Sequence, residues 1–207
     1  MGMGRKSLKE DRQKEIIEAF YRVAQQEGVE NTSFAKIAKE LDITPSLLVH
    51  YFHTKEELLL GLIDFIVDRY QHIYQLEARK NISALEHLLF IIDNIFSRKW
   101  NELIDDGVFY SCFAFVFRDQ RVRRRFKDMT LLLRKWLANA IQACVDEQQL
   151  EVVDVNQTAD LIFVISDGAY YLLSMIDDPV EYEERLAGYR QQALNLLNLQ
   201  SETSPLD

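Results

Sequence analysis

The sequence predicts an all-α protein. Its 207 residues include only three prolines and seven glycines, so few residues interrupt helices. Apolar residues recur at 3.6-residue spacing over long segments, which is the pattern of amphipathic helices. Apolar residues make up 48% of the chain and charged residues 28%, as in a globular rather than a disordered protein. We expect about nine helices in two domains.

The first predicted helix covers residues 10–27 and follows a mobile basic arm at residues 1–9. Gly28 stands where a helix-terminating glycine is expected. The apolar stripe of this helix consists of Ile16, Ile17, Phe20, Val23 and Ala24.

Two short helices are predicted next, at residues 34–41 and 45–52. Thr44 and Pro45 supply an N-cap and a first-turn proline for the second of them. It is barely two turns long and cannot be stable alone, so its neighbours must hold it. The apolar face of the first short helix consists of Phe34, Ile37, Ala38 and Leu41.

The second short helix has one face suited to packing and one suited to contact. Leu48 and Phe52 lie four residues apart and should anchor the helix to its neighbours. A short second helix braced in this way is typical of a helix-turn-helix, which presents that helix to the major groove of DNA.

A fourth helix is predicted over residues 55–79, because Thr54 is a typical N-cap and Glu57 completes a capping box. Five further helices are predicted at residues 83–100, 105–120, 121–149, 156–176 and 179–199. We expect a helix-turn-helix DNA-binding domain over residues 1–55, a helical effector-binding and dimerisation domain over 56–200, and a disordered tail over 201–207.

The net charge of −9 is unevenly distributed. Residues 1–55 hold nine Lys and Arg against eight Asp and Glu, whereas the remainder holds fifteen against twenty-five. The N-terminal part can therefore approach phosphate, but it must rely on geometry and dimerisation more than on charge.

The sequence favours a cytoplasmic protein. It contains no apolar run of the roughly 18 residues that span a bilayer, and no apolar signal-peptide core. Cys112 and Cys144 lack CxxC spacing and fit buried free thiols better than a redox pair.

Residues 16–62 contain an ordered set of features: a helix, Gly28, Thr32-Ser33, Ile37-Ala38, a turn, a short helix, His50-Tyr51-Phe52 and Lys55-Glu56-Glu57-Leu58. This combination resembles the TetR family of one-component transcriptional regulators. The family usually has glycine where Asp42 stands, and an aspartate can tolerate the unusual backbone expected there. The family also often has Gly-Thr at Ser46-Leu47 and commonly a DNA-contacting tyrosine at Val49. The resemblance implies that the rest of the chain forms a ligand pocket and a dimer interface.

Nine residues are candidate DNA contacts: Thr32, Ser33, Lys36, Thr44, Ser46, Leu47, His50, Tyr51 and Lys55. The helix N-terminus at residues 32–33 offers N–H groups to a phosphate, and the alternative is plain N-capping. Ser46 suits a base edge or phosphate, and Leu47 a thymine methyl. The resemblance implies phosphate contacts for His50, Tyr51 and Lys55; the alternatives are an exposed His50 and a Tyr51 packed on the first helix.

An aromatic run in the second half has two interpretations, ordinary core or the wall of a pocket for an apolar ligand. Asp93, Tyr110 and Asp167 are candidate polar groups in such a pocket. The candidate ligand-binding residues are Trp100, Phe109, Tyr110, Phe113, Phe117, Trp136, Phe163 and Asp167.

The last two helices predict a homodimer, because family members usually pair them into a four-helix bundle across a two-fold axis. The candidate interface residues are Leu161, Val164, Ala169, Leu172, Leu186, Tyr189, Ala193 and Leu197. A basic cluster at residues 121–125 fits a solvated face that pairs with acidic residues better than an anion site.

The sequence therefore favours a homodimeric DNA-binding regulator, more often a repressor, with a double-stranded operator and a small-molecule effector as partners. One alternative is an activator or architectural protein without a ligand. A small helical enzyme is a weaker alternative, because the four histidines show no metal-binding spacing and no nucleophile–base pair is evident. No cofactor, metal or membrane is expected.

Overall fold

The computed structural model of the chain describes residues 3–74 and 82–198, apart from the side chains of residues 3–7, 72–74 and 99–101. Over these residues it contains helices and no strands, which confirms the predicted all-α class. The described helices are α1 (Met3–Glu27), α2 (Phe34–Glu40), α3 (Pro45–Tyr51), α4 (Lys55–Tyr74), α5 (Ala84–Ile95), α6 (Arg98–Leu103), α7 (Asp106–Ala114), α8 (Gln120–Asp146), α9 (Val155–Leu173) and α10 (Pro179–Asn195).

The chain divides into two compact units. Unit 1 comprises Met1–Arg69 and Ile104–Met129, and unit 2 comprises Tyr70–Leu103 and Thr130–Asp207. The unit boundaries fall inside α4 and α8. The predicted boundary at residue 55 was drawn between a DNA-binding and an effector-binding region, and it does not coincide with the boundaries of the compact units. The division into these two functional regions stays a prediction. The predicted tail at residues 201–207 lies outside the described residues.

Helix α1 is the centre of unit 1, where it packs against α2, α3 and α7. Its predicted apolar stripe is buried, and Gly28 ends it with a φ of +84°, as predicted. The helix begins at Met3, so the mobile arm predicted for residues 1–9 is wrong over residues 3–9. The reason is composition: Arg5, Lys6 and Lys9 are good helix formers, and no proline lies between residues 3 and 9.

Helix α7 is attached to α1 by a polar contact within unit 1. The backbone N–H of Asp105, the N-cap of α7, donates to the Tyr21 hydroxyl at 2.8 Å. Burial raises the pKa of Tyr21, and the Arg69 guanidinium lies 5.0 Å from the centre of its ring.

Two predicted helices are interrupted. The segment predicted at residues 83–100 breaks at Phe96 and continues as α6, and the segment at 105–120 changes to a 3-10 turn at Phe115–Phe117. At the first break the Tyr170 hydroxyl lies 2.6 Å from the carbonyl oxygen of Ile95 and 3.0 Å from that of Ser97. In a continuous helix these two carbonyls would accept from backbone N–H groups one turn later. At the break they share the Tyr170 hydroxyl on α9 instead.

In unit 2, α10 packs against α9 and α5. Leu88, Ile92, Leu137 and Ile162 are among the fully buried side chains of this unit. The Arg190 guanidinium on α10 also donates to the Asp93 carboxylate on α5 at 2.8 Å, so Asp93 is engaged in an ion pair.

Candidate DNA-binding surface

The turn between α2 and α3 has the unusual backbone that the sequence predicts. Asp42 has a φ of 51°, which a short polar side chain tolerates. Its N–H donates to the Lys39 carbonyl at 3.2 Å, and the N–H of Ile43 donates to the Ala38 carbonyl at 2.9 Å. These two hydrogen bonds are those of a Schellman motif, so α2 ends with its carbonyls satisfied.

Helix α3 is held from behind as predicted. Leu48 is fully buried and Phe52 is 7% exposed, which confirms both as anchors. Ser46, Leu47, Val49 and His50 are exposed on the other side of the helix. The buried pair fixes the orientation of this exposed face, which is the face a helix-turn-helix uses to read DNA.

The start of α3 differs from the prediction in one detail. Thr44 occupies the N-cap position and Pro45 the first turn, as predicted, but the Thr44 side chain caps no backbone N–H. Its hydroxyl lies 3.1 Å from the Ser46 hydroxyl instead. Because both side chains are exposed, this pair forms a small polar edge at the N-terminus of the helix.

Thr32 and Ser33 have different roles. Ser33 is the exposed N-cap of α2, and its hydroxyl accepts from the Lys36 N–H at 3.3 Å. Thr32 is buried, and its hydroxyl donates to the Gly28 carbonyl at 2.8 Å. Burial therefore places the Thr32 hydroxyl inside the protein, where it is engaged by the Gly28 carbonyl just after α1. A DNA contact at Thr32 would have to use the backbone, and it stays a prediction.

Two lysines flank the loop that joins α1 to α2. The Lys36 ammonium pairs with the Glu27 carboxylate and donates to the Asn31 carbonyl at 3.0 Å. The Lys55 ammonium donates to the Glu30 carbonyl at 2.7 Å. An ammonium has three donors, so each lysine keeps capacity for a phosphate while the loop fixes its position.

The start of α4 is capped by a variant of the predicted capping box. The Thr54 hydroxyl accepts from the Glu57 N–H at 3.1 Å, as predicted. The Glu57 carboxylate accepts from the N–H of His53 at 2.7 Å, one residue before the expected donor. This backbone hydrogen bond is the main cause that lowers the pKa of Glu57.

His50 and Tyr51 form an edge-to-face pair with ring centres 5.4 Å apart. His50 is exposed, whereas Tyr51 is half-buried. The Gln13 side chain on α1 donates to the Tyr51 carbonyl at 3.3 Å, so α1 supports the C-terminal end of α3. A phosphate contact by either ring remains a prediction.

The predicted ligand-binding aromatics are divided between the two units. Phe109, Tyr110, Phe113 and Phe117 belong to unit 1, where Phe113 and Phe117 are 40% and 72% exposed. Phe109 and Phe113 both lie against Phe126, at 5.8 and 5.4 Å between ring centres. These residues form an aromatic cluster that is partly open to solvent.

A cavity of about 270 Å³ lies within unit 2, and Trp136 is the single predicted ligand-binding residue among those that line it. On α9, Phe163 is half-buried and Asp167 is exposed, and neither is among the described lining residues. The Trp100 side chain lies outside the described residues. The sequence reasoning missed the other lining residues, although Trp136, Ala140 and Ala143 share one face of α8 at helical spacing. The lining consists of Gln71, His87, Ile91, Trp136, Asn139, Ala140 and Ala143.

The predicted dimer residues divide into two groups. Leu161, Val164 and Leu172 are exposed on α9. Tyr171 on α9 and Met175, two residues after its end, are exposed as well, and the sequence reasoning missed both. A second group is buried or half-buried within the single chain, and its predicted place in a dimer interface stays a prediction. That group consists of Ala169, Leu186, Tyr189, Ala193 and Leu197.

The basic cluster at the start of α8 is largely engaged within unit 1. Arg121 pairs with Asp119 at 2.9 Å, and Arg125 pairs with Asp64 at 3.1 Å. Arg123 donates to the Val116 carbonyl at 3.0 Å. These contacts support the solvated, paired face that the sequence predicts.

The remaining chemistry of the described residues is structural. Cys112 and Cys144 are free and fully buried, as predicted, and burial raises their pKa values to about 12 and about 11. Within residues 3–74 and 82–198, no three His, Cys, Asp or Glu side chains are grouped to hold a metal ion. No helix of that part of the chain is long and apolar enough to cross a membrane.

An exposed short helix, anchored from behind and joined by a tight turn to a capped neighbour, defines a helix-turn-helix DNA-binding protein. Residues 16–62 match the family model of bacterial regulatory proteins of the tetR family, and residues 83–199 match the tetracyclin repressor-like C-terminal domain. The chain belongs to the TetR family of transcriptional regulators. It is therefore a DNA-binding regulator and not an enzyme, and the resemblance seen in the sequence is confirmed.

Known proteins are similar over nearly the whole chain. The HTH-type transcriptional regulator PksA of Bacillus subtilis is 26% identical over 176 residues, which cover 83% of this chain and 82% of PksA. A TetR regulator from Haloarcula marismortui superposes with a TM-score of 0.77 at 22% identity, covering 91% of this chain and 97% of its own. A transcriptional regulator from Saccharomonospora viridis, solved with choline, has a TM-score of 0.71 at 15% identity, with 92% and 97% covered. At these identities the two structures support the fold alone.

Proposed function

We propose that this chain is a cytoplasmic, homodimeric repressor that binds a near-palindromic operator and is released from it by a small apolar ligand. The observation that carries the proposal is the exposed face of α3, fixed from behind by Leu48 and Phe52. Because α3 is already held in place, little conformational entropy is lost when its exposed face enters a major groove.

Base recognition is assigned to the exposed residues of α3. The Ser46 hydroxyl donates to a base edge or phosphate, and Leu47 packs on a thymine methyl. Val49 and His50 lie on the same exposed side and complete the surface that faces DNA.

Phosphate contacts are assigned to Lys36, Lys55 and the N-terminus of α2 beside Ser33. Both lysines are positioned by the loop between α1 and α2, so they present charge at fixed points. Residues 1–55 carry only one net positive charge, so the electrostatic attraction of one DNA-binding domain to DNA is weak. The DNA-binding domains of two subunits must therefore bind together. A two-fold dimer would place them on half-sites about 10 base pairs apart.

The dimer is assigned to the outer face of α9. Leu161, Val164 and Leu172 are 45–64% exposed there, and an exposed apolar surface of this kind is typical of an interface. Gly168 lies on the same helix, and a Cβ added to it would meet no atom within 4 Å, so a second helix has room to approach. The family's four-helix arrangement supports this assignment.

Release is assigned to ligand binding in the cavity of unit 2. The same helix, α4, carries Lys55 at its first residue and Gln71, which lines the cavity. A ligand that favours a conformation unable to engage both half-sites shifts the population away from DNA. The choline bound by the Saccharomonospora viridis regulator supports a small-molecule effector for this fold.

The proposal is tested by selecting duplexes from a random pool with the full chain and by footprinting upstream of neighbouring genes. We expect an enriched near-palindrome, protection at one or more of those sites, and a dimer by light scattering. A monomer whose mass does not change with concentration, or a pool without enrichment, would refute the proposal.

A further inference from the structure

Positive charge is concentrated in residues 115–127, at the start of α8. This segment belongs to unit 1, the unit that also contains α2, α3 and the first turn of α4. Residues 1–69 carry ten Lys and Arg against twelve Asp and Glu, so this segment supplies positive charge that the rest of unit 1 lacks. Against one acidic residue, Asp119, it holds six exposed basic residues: Arg118, Arg121, Arg123, Arg124, Arg125 and Lys127.

Helices α8 and α4 begin at the same end of unit 1. The Arg125 guanidinium on α8 lies 3.1 Å from the Asp64 carboxylate on α4. One turn earlier in α8, the pKa of Arg121 is raised chiefly by its hydrogen bond to Asp119, and the carboxylates of residues 56–57 add to this effect. Those two carboxylates lie in the first turn of α4. Moving back along α8 therefore leads towards the start of α4.

Two arginines of the segment lie outside its ion pairs. Arg118 stands between the 3-10 turn and α8, and Arg124 is a neighbour of Arg121 on one face of α8, three residues on. Within the described part of the chain, neither side chain forms an ion pair or a hydrogen bond. Their charges are therefore available to an anionic partner. Lys127 is exposed too, but it lies further from the start of α8.

The start of α4 is the place where a phosphate contact has been assigned. Lys55 is the first residue of this helix, and its ammonium is fixed by the Glu30 carbonyl at 2.7 Å. Duplex DNA carries one negative charge for about every 1.7 Å of its axis, so a duplex that touches Lys55 brings further phosphates close to it. The arginines at the start of α8 are the exposed cations on that side of α4.

We propose that Arg118 and Arg124 bind phosphates of the operator duplex next to the phosphate bound by Lys55. This inference rests on the proposed function and adds a second basic surface to its DNA contacts. A guanidinium group can hold a phosphate through two parallel N–H···O hydrogen bonds and keeps its charge throughout the physiological pH range. Such contacts are independent of base sequence, so they raise the affinity for any duplex.

The double variant Arg118→Gln/Arg124→Gln tests the proposal through the salt dependence of DNA binding. Fluorescence titrations of the full chain should show operator and random duplexes weakened by similar factors, at least about tenfold at about 50 mM salt. The salt slope should fall by about two units for each bound subunit, since each lost phosphate contact accounts for about one. Unchanged affinity and slope would overturn the proposal.

Two further variants separate a phosphate contact from a general effect of charge. Lys135→Gln is the control for Arg124→Gln, because Lys135 is exposed on the same side of α8, three turns further along. We expect it to leave the Kd within about twofold. An equal loss from this control would assign the effect to net charge and overturn the proposal. Arg118→Lys/Arg124→Lys keeps both charges and should recover most of the affinity.

Phosphate ethylation interference tests the location. Two or more phosphates whose ethylation blocks binding of the parent protein should lose their effect in the double glutamine variant. They should differ from those that lose it in Lys55→Ala. An unchanged interference pattern, or loss at the Lys55 phosphates alone, would refute the site. Both arginines are exposed, so circular dichroism and thermal unfolding should match those of the parent protein.

The two proposals fail separately. A parent protein that prefers no duplex but is weakened by the arginine substitutions would keep the phosphate contacts and refute the repressor. A parent protein that selects an operator and loses nothing in the double variant would do the reverse. Absence of binding to any duplex would refute both.

Discussion

The DNA-binding face of unit 1 and the cavity of unit 2 are built in opposite ways. The DNA-binding face is made by residues 32–57, whose caps, turn and anchors lie within a few residues of one another. The cavity joins side chains from α4, α5 and α8 that are up to 72 positions apart, between Gln71 and Ala143. The caps and the turn of the DNA-binding face are local and α1 supports that face from behind, whereas the cavity depends entirely on what distant helices leave unfilled.

The largest expected effect concerns the anchoring of α3 by Leu48. Leu48→Ala should lower the free energy of unfolding by about 2–5 kcal/mol, because a fully buried leucine leaves a cavity behind α3. Urea denaturation measures the loss. The neighbouring Leu47→Ala removes an exposed side chain and should change stability by about 0.5 kcal/mol or less. Similar losses for both variants would show that α3 is not anchored through Leu48.

Two glycines differ in their surroundings: Gly61 in unit 1 is closely packed, whereas Gly168 in unit 2 borders open space. A Cβ at Gly61 would lie 2.7 Å from Cδ1 of Ile17 and 3.4 Å from Phe52. Gly61→Ala should therefore cost about 1 kcal/mol net, since overpacking outweighs the gain in helix propensity. Thermal unfolding at one fixed protein concentration provides the measurement.

The matched variant is Gly168→Ala, whose Cβ meets no atom within 4 Å. On a monomer it should add about 0.5–1 kcal/mol of stability. If α9 forms the dimer, the same change also weakens association, which light scattering detects at low concentration. A destabilised monomer would contradict the open space at Gly168.

The sequence predicted the caps and the turn of residues 32–57 because the signals there are local. Thr54 is a residue type that caps helices, and Asp42 is one that tolerates a left-handed turn where the family usually has glycine. The sequence was insufficient for the break after Ile95, because no glycine or proline lies there and the stabilising hydroxyl comes from Tyr170, 75 positions away. The cavity could not be located either, since Ala140 and Ala143 fit a tightly packed helix face equally well.

A smaller effect concerns phosphate binding by Lys55. Lys55→Ala should weaken binding to operator and random duplexes by similar factors and reduce the salt slope by about one unit, as loss of one phosphate contact requires. Fluorescence titrations over a series of salt concentrations give the slope. Lys39→Ala is the control, because Lys39 is exposed on α2 outside the predicted contacts. An unchanged slope would remove Lys55 from the DNA-binding surface.

The smallest effect is a pH dependence at the start of α8. Hydrogen bonds from Arg121 lower the pKa of Asp119 from 3.8 to about 2. The carboxylate therefore stabilises the fold above about pH 4, and the contribution is lost as the pH falls towards 2. Asp119→Asn should have a lower free energy of unfolding than the parent protein at pH 7. In urea denaturation over a pH series, the difference between the two proteins should become smaller below about pH 4. A constant difference across that range would contradict the ion pair.

The Tyr170 hydroxyl has one proton and faces two carbonyl oxygens, those of Ile95 and Ser97. It can donate to only one of them at a time, so the two carbonyls share a single donor. Tyr170→Phe would remove that donor from both carbonyls at the break after Ile95. One oxygen atom on α9 thus serves the backbone at the end of α5 and at the residue that precedes α6.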